Sequence, residues 1–284
     1  MHEPLLAIDE ALQVEDLEAH TDEDKRRWWE FASEKQVDVL AVQHTVNPHT
    51  PLLTESYLLV HDATMTWDIP GSPQLAGIHV QRDRGAGTFR LEYERAPIVA
   101  LAQQWLVSRG ADLGQVTPHA EWLPTTDQPS RDLEQRLALA GDRYWFANSY
   151  TSDLVLDPAH SSGGPPSAAE DLVYDFNTWI IAQDRQPEPG QQPVRVFFED
   201  VDYLGRTYTL REGGFPDLDA AYDWTRRAGE PDNPLPPVEV APVASPRTAA
   251  ARATSSATAA GAAPAEVAAS PTATDPTATR PRSR

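Results

Sequence analysis

The chain has 284 residues, of which 43 are Asp or Glu and 23 are Lys or Arg, so its formal net charge is −20. It has no cysteine, which excludes disulfides, thiolate metal sites and cysteine nucleophiles. No stretch approaches the roughly 18 apolar residues of a membrane span, and the acidic start lacks the basic region of a signal peptide. We therefore expect a cytoplasmic protein without membrane contact.

The first elements in chain order are two helices. Residues 1–20 carry apolar residues at loose helical spacing between acids, which predicts an acidic N-terminal helix. Thr21, with Asp24 three positions later, resembles a capping box and predicts that a second helix begins there. This second helix would bury Trp28, Trp29 and Phe31.

Apolar and polar residues then alternate, which is the period of half-buried strands. The pattern predicts strands at residues 37–46, 56–62, 78–82 and 89–94, and residues 65–69 are either a further strand or the continuation of 56–62. A helix follows from Pro97 until Gly110 ends it.

The second half has a similar order of predicted elements. Ser130 is placed to cap a helix that runs to about Ala140. Strands are predicted at residues 143–150, 173–182, 194–199 and 207–211, and a last helix at 217–227.

The two halves also match residue by residue over part of their length. One shift of 119 residues relates a strand, a helix tryptophan and a terminal glycine: it places Leu91 on Leu210, Trp105 on Trp224 and Gly110 on Gly229. Further upstream, Asp62 matches Asp175 at a shift of 113. We interpret this as an internal duplication, and convergent patterning of similar units is the alternative.

These patterns predict an α+β fold made of two similar antiparallel-sheet modules, each with the order α-β-β-β-β-α. From residue 231 onward the chain has no aromatic residue and is dominated by Ala, Pro, Thr and Ser, which predicts disorder. The predicted divisions are an N-terminal helix (1–20), a first module (21–112), a linker (113–129), a second module (130–229) and a disordered tail (230–284).

Motifs for nucleotide and nucleophile chemistry are absent from the sequence. There is no Walker A sequence, no complete dinucleotide fingerprint and no G-x-S-x-G elbow, so we expect no cofactor. Paired carboxylates are abundant, as expected in so acidic a chain. Asp217 and Asp219 fit the first turn of a helix, and Asp200 and Asp202 flank a hairpin.

Histidines give the one candidate metal site. If the strands of the first module pair as predicted, His44, His61 and His79 approach one another near a carboxylate, a donor set that suits zinc or iron. The competing interpretation is that they are surface or hydrogen-bonded histidines. Neither H-E-x-x-H nor H-x-H occurs, and the alignment of the halves places Tyr174 opposite His61.

The eight tryptophans divide into matched and unmatched positions. Trp105 and Trp224 occupy equivalent helix positions, which predicts that both lie in the core of a repeated unit. Trp122 and Trp145 have no such counterpart and are therefore our candidates for exposed aromatic residues.

Charge provides the remaining functional indication. Residues 240–284 carry five Arg and two acids, so the rest of the chain has a formal charge of −23 and repels nucleic acid. The charge fits simple solubility, an acidic face for a basic protein, or imitation of DNA. We expect a non-catalytic protein whose acidic body binds a basic protein partner through its sheet faces or a groove between modules. The alternative is a hydrolase built on the first-module histidines, and it would be metal-dependent if these histidines bind a metal ion.

Overall fold

The computed structural model describes residues 7–32, 37–62, 64–65, 69–119, 127–152, 175–202 and 207–238. Within these residues the predicted α+β class is confirmed, with five α-helices and nine strands in two sheets. The predicted tail lies outside the described residues from position 239, as does most of the second half of the predicted linker.

The first module has the predicted order of elements. Its strands pair in the order β1-β5-β4-β3-β2, and the two-residue β1 is parallel to β5 while all other pairs are antiparallel. The elements are α1 (Ile8–Leu12), β1 (Glu18–Ala19), α2 (Asp22–Ala32), β2 (Val37–Val46), β3 (Leu53–Asp62), β4 (Leu75–Asp83), β5 (Thr88–Ala96) and α3 (Val99–Ser108).

The second module repeats the order of elements from α2 to α3, with an antiparallel sheet in the strand order β6-β7-β8-β9. A single 3-10 turn, Gly141–Arg143, precedes its first strand. The elements are α4 (Gln128–Ala138), β6 (Tyr144–Thr151), β7 (Asp175–Asp184), β8 (Val194–Asp202), β9 (Thr207–Phe215) and α5 (Leu218–Thr225).

Two predicted helices differ in extent from the observed ones. The N-terminal helix covers only Ile8–Leu12 and ends at Gln13, whose φ of 52° is left-handed. The helix predicted to begin at Ser130 begins at Gln128, because Asp127 is the cap: its carboxylate accepts the Ser130 N–H at 3.0 Å. The strand predicted at 65–69 falls mostly outside the described residues.

The two sheets share one pairing register. Offsets of 107 (β2 to β6), 122 (β3 to β7) and 119 (β4 to β8 and β5 to β9) relate every residue pair of the second sheet to a residue pair of the first. The β-bulge at Leu40 in β2 recurs at Ala147 in β6 under the same offset. The modules are therefore similar in detail, while their common ancestry stays a prediction.

The predicted upstream alignment of the two halves is wrong by nine residues. In the ladders Asp62 corresponds to Asp184, not to Asp175, and His61 corresponds to Gln183. The connection between β3 and β4 has twelve residues, whereas that between β7 and β8 has nine, so the offset rises upstream from 119 to 122. The predicted alignment instead lowered the offset to 113, and loop-length changes of this size cost little free energy in either direction.

The elements stack in layers around three apolar clusters. The first sheet lies between α1 and α2 on one face and α3 on the other, and α5 covers the far face of the second sheet. In the middle layer α3 packs against α4, and residues of both sheets join them in one buried cluster. The modules thus meet through a packed core where α3 and α4 touch.

Trp105 and Trp224 occupy equivalent places under this arrangement, one on α3 and one on α5. Trp224 is buried, whereas Trp105 is only partly buried. Gly77 in β4 makes room for Trp105, since a Cβ there would lie 3.0 Å from its ring.

Each module ties its first helix to its last strand in the same way. The Asp24 carboxylate of α2 accepts the Leu91 N–H of β5 at 3.0 Å, and the Ser130 hydroxyl of α4 accepts the Leu210 N–H of β9 at 2.9 Å. Both amides are on the last strand of a meander, beside its outer edge. A buried N–H without a partner is costly, so these side chains complete the ladder.

Asp24→Ala and Ser130→Ala should each lower the free energy of unfolding by about 1–3 kcal/mol, because each leaves a buried strand amide unpaired. Urea denaturation of the full chain measures both effects. Asp22→Ala, at an exposed position of the same helix turn as Asp24, is the control and should change stability little. A loss at only one of the two sites would contradict the equivalence of the ties.

Candidate functional site

The three predicted metal ligands lie on neighbouring strands but on different faces of the first sheet. His44 is on the face of α1, where its Nδ1 lies 2.6 Å from the Ser56 hydroxyl. His79 is on the face of α3, stacked on Tyr57 with ring centroids 4.6 Å apart. His61 shares the face of His79, since it lies an even number of residues from Tyr57 along β3.

Distance separates the two histidines that share a face. Tyr57 pairs with His79 in the ladder, and His61 lies four residues along the strand, or about 13 Å away. Among the described residues, no group of three or more His, Asp or Glu side chains could hold a metal ion. The structure therefore does not bring His44, His61 and His79 together.

Each of these histidines has a local role in the sheet. Burial lowers the pKa of all three, and the Arg82 charge lowers the pKa of His44 further, so the neutral form is favoured. His61 contacts the Gln74 side chain at 3.3 Å, and the Glu55 carboxylate lies 3.6 Å from His79. These contacts are those of histidines packed into a sheet.

The His44–Ser56 pair resembles a nucleophile with its base, but its surroundings are structural. Ser56 is fully buried and accepts a hydrogen bond from Arg82 at 2.6 Å. Arg82 is also buried and donates to the Leu12 carbonyl at the end of α1. Burial lowers the pKa of Arg82 to about 10. The group therefore closes the C-terminal end of α1, and no substrate can reach the hydroxyl.

In the second module, polar side chains replace an apolar part of the first. Tyr208 donates a hydrogen bond to the Glu134 carboxylate, and Glu199 lies close to both groups. The corresponding first-module residues, at offsets of 106 and 119, are apolar and share one cluster: Trp28, Val80 and Phe89.

This cluster, defined by Glu134, Glu199 and Tyr208, holds a proton near neutral pH. Burial, and then the neighbouring Glu134 charge, raise the pKa of Glu199 to about 8. Burial also raises the pKa of Glu134, while its hydrogen bond from Tyr208 acts in the opposite direction. A signal for this cluster is present in the sequence: the shift of 119 places Glu199 on Val80, which is buried in the first module.

A chain of ion pairs crosses the other end of the second sheet. Asp184 pairs with Arg143 at 2.8 Å and with Arg195 at 3.4 Å, and Arg195 pairs with Glu212 at 3.0 Å. A cleft of about 290 Å³ lies beside Glu212 between α4 and β9. The arginines that line this cleft are paired with carboxylates: Arg136 with Glu212 and Arg211 with Asp127. We therefore assign these ion pairs and the cleft beside them a structural role.

Aromatic side chains are exposed on β6, at the edge of the second sheet. Trp145 is 46% exposed, Tyr150 is 39% exposed, and Phe146 on the same strand is 37% exposed. Tyr150 stacks on Trp179 of β7, with ring centroids 5.9 Å apart. Trp122, the other residue predicted to be exposed, lies outside the described residues.

We name the residues Trp145, Tyr150 and Trp179 the aromatic surface. Trp145 and Tyr150 lie on the face of the sheet that also carries α5, and that helix packs on β7, β8 and β9. At the corresponding positions of β2, the first sheet has Asp38 and Gln43 in place of Trp145 and Tyr150. The aromatic side chains of β6 are thus particular to the second module.

The remaining candidate carboxylates have structural or undescribed places. Asp217 is the N-cap of α5, one position before the predicted first turn, and accepts the Ala220 N–H at 2.8 Å. Asp219 lies in the first turn, as predicted. Asp200 and Asp202 are exposed on β8.

No protein-family model, curated protein or solved structure matches this chain. None of the helices in the described ranges has the length and apolar character needed to cross a bilayer. Function therefore has to be inferred from the sheets and their surfaces.

Proposed function

We propose that this protein is a non-catalytic binding protein and that a basic protein partner docks on the aromatic surface of its second sheet. The observation that carries the proposal is the exposure of Trp145 and Tyr150 on an edge strand whose counterpart, β2, carries polar residues there. Exposed aromatic side chains are typical of protein interfaces, where they provide large contact areas at low entropic cost.

Charge favours a basic partner. The whole chain has a formal charge of −20, and the described parts of the second module contain thirteen Asp and Glu against eight Arg. An acidic field of this kind accelerates encounter with positively charged proteins and weakens at high salt. We infer that the rings supply contact area and that the acids select the partner.

The place of docking follows from the layers. Since α3 and α4 fill the space where the modules meet with a shared core, a sheet face is a better docking place than a groove between modules. Nothing in the placement of His44, His61 and His79 favours the alternative of a metal-dependent hydrolase.

Affinity capture with matched variants tests this proposal. Immobilised full chain, Trp145→Ser and Trp29→Ser are each incubated with extract of the source cells at low salt. We expect wild type and Trp29→Ser to retain the same basic protein, Trp145→Ser to lose it, and 500 mM salt to elute it. Trp29 is the control because it lies on α2 and is 51% exposed, so the prediction that it is buried was wrong.

Equal retention by all three chains would contradict docking at the aromatic surface. Retention of acidic proteins alone would contradict the choice of a basic partner. Circular dichroism of each variant checks that the exposed substitutions leave the fold intact.

A further inference from the structure

The first module covers its own edge strand with a short segment of chain. Residues 111–119 follow α3, and Val116 is fully buried in the same cluster as Leu40 and Tyr57. The His119 N–H donates to the carbonyl of Leu40, the bulge residue of β2, at 3.3 Å. One aliphatic side chain and one backbone hydrogen bond therefore hold this segment on the sheet.

A second polar contact fixes the start of that segment. The Asp112 N–H donates to the Gln43 side chain of β2 at 2.8 Å, and the Gln103 side chain of α3 donates to the Val116 carbonyl at 3.1 Å. The segment thus lies against β2 between Leu40 and Gln43, and shows how this fold seats a peptide on its bulged edge strand.

In the second module the chain takes a different direction after its last helix. It turns back along α5, where the Trp224 indole donates to the Pro234 carbonyl at 3.3 Å and the Gly214 N–H donates to the Pro236 carbonyl at 3.2 Å. It thereby runs to β9, at the opposite edge of the sheet from β6. Among the described residues, none takes over β6 the place that residues 111–119 take over β2.

One end of β6 is nevertheless occupied, which limits the size of the uncovered site. Gly71, from the connection between β3 and β4, accepts the Thr151 N–H at 3.3 Å and lies against the Tyr150 ring. A Cβ on Gly71 would come within 2.3 Å of that ring. The accessible stretch is therefore residues 145–150, long enough for a short peptide.

Building on the proposed function, we infer that the basic partner presents a short peptide segment that lies over the Ala147 bulge as residues 111–119 lie over Leu40. Ala147 is smaller than Leu40, and we expect a leucine side chain of the peptide to take the place that Val116 takes in the first module. Trp145 and Tyr150 replace Asp38 and Gln43, and aromatic faces accept the guanidinium or ammonium groups of basic residues. This chain already stacks a guanidinium on an indole, with Arg109 4.3 Å from the Trp105 centroid.

A synthetic peptide tests the inference directly. The probe is residues 111–119 of this chain with Asp112→Arg, Val116→Leu and His119→Arg, carrying fluorescein at its N-terminus. Full chain is titrated into it at 50 mM salt and fluorescence anisotropy is recorded. We expect saturable binding with a dissociation constant on the order of 10–100 μM, as for a small contact area.

Variants of both components define the site. Trp145→Ser and Tyr150→Ser should each weaken binding at least ten-fold, and Trp29→Ser should leave it unchanged. A control peptide with Val116→Asp in place of Val116→Leu should also bind at least ten-fold more weakly, because a carboxylate cannot enter an apolar seat.

The outcomes separate this inference from the proposed function. Absence of peptide binding, or binding that is indifferent to Trp145→Ser, overturns the peptide-segment inference. If capture of a basic protein still depends on Trp145, the proposed function survives that result. If capture does not depend on Trp145, the proposed function fails as well.

Discussion

Arg195→Met is expected to lower the free energy of unfolding by about 3 kcal/mol, because it removes the central cation of a buried ion-pair chain. Arg195 is 1% exposed and lies between Asp184 and Glu212. It also donates to the Gln191 side chain at 2.7 Å, so the substitution releases the connection before β8. Urea or guanidinium denaturation of the full chain measures the loss.

Arg226→Met is the matched control for that experiment. Arg226 pairs with Asp223 at 3.0 Å, but its side chain is 76% exposed, and solvent weakens such pairs to less than about 1 kcal/mol. A loss below 1 kcal/mol for Arg195→Met would show that the buried chain is not needed for stability.

Glu199→Gln should raise the free energy of unfolding at pH 8 and remove the dependence of that free energy on pH that Glu199 causes. Glu199 has its pKa raised to about 8, so the folded chain keeps a proton that the unfolded chain loses near pH 4.5. The free energy of unfolding therefore falls as pH rises from about 5 to 8, by up to about 1.4 kcal/mol per pH unit. Glutamine cannot titrate, so the variant should lack this slope.

Comparison of the variant with wild type isolates Glu199 from its neighbours. Glu134, Tyr208 and Arg131 act on the same cluster, and they remain in both chains. Denaturation at pH 5, 6, 7 and 8 measures the slope, and Glu188→Gln, at an exposed position, serves as the control. Identical slopes in wild type and Glu199→Gln would contradict the assignment of a buried, protonated Glu199.

Local patterns predicted most of the architecture because the strands are half-buried and the helices end at clear signals. Alternation at 89–94 marked β5, and the shift of 119 related it to β9. Thr21 was predicted to cap α2 through Asp24, and the Asp24 N–H donates to the Thr21 hydroxyl at 3.1 Å. Such signals depend only on neighbouring residues, so they can be recognised in a single sequence.

Features that depend on pairing could not be predicted in this way. In each sheet an arginine guanidinium lies against a buried aspartate. The arginine occupies opposite members of two equivalent cross-strand pairs, Ala76–Arg95 in the first sheet and Arg195–Gly214 in the second. Arg95 reaches Asp62 at 3.3 Å, as Arg195 reaches Asp184. Position-by-position comparison does not detect an arginine that has moved to the partner strand.

The three predicted metal ligands, His44, His61 and His79, lie apart in the structure for a similar reason. Neighbouring strands place residues close together only when both register and side-chain parity agree. His44 pairs with Ser56, five residues from His61, so the two histidines point to opposite faces. The exposure of Trp145, by contrast, was predictable because no tryptophan matches it in the first half, and Trp145 is exposed in the structure.

Hydrogen exchange of the full chain, free and bound to the captured basic protein, tests the binding surface most directly. We predict slower amide exchange in residues 144–150 of β6 and in neighbouring β7, with β2 unchanged. Protection confined to β2, or to helices far from β6, would contradict the assignment of the aromatic surface as the docking site.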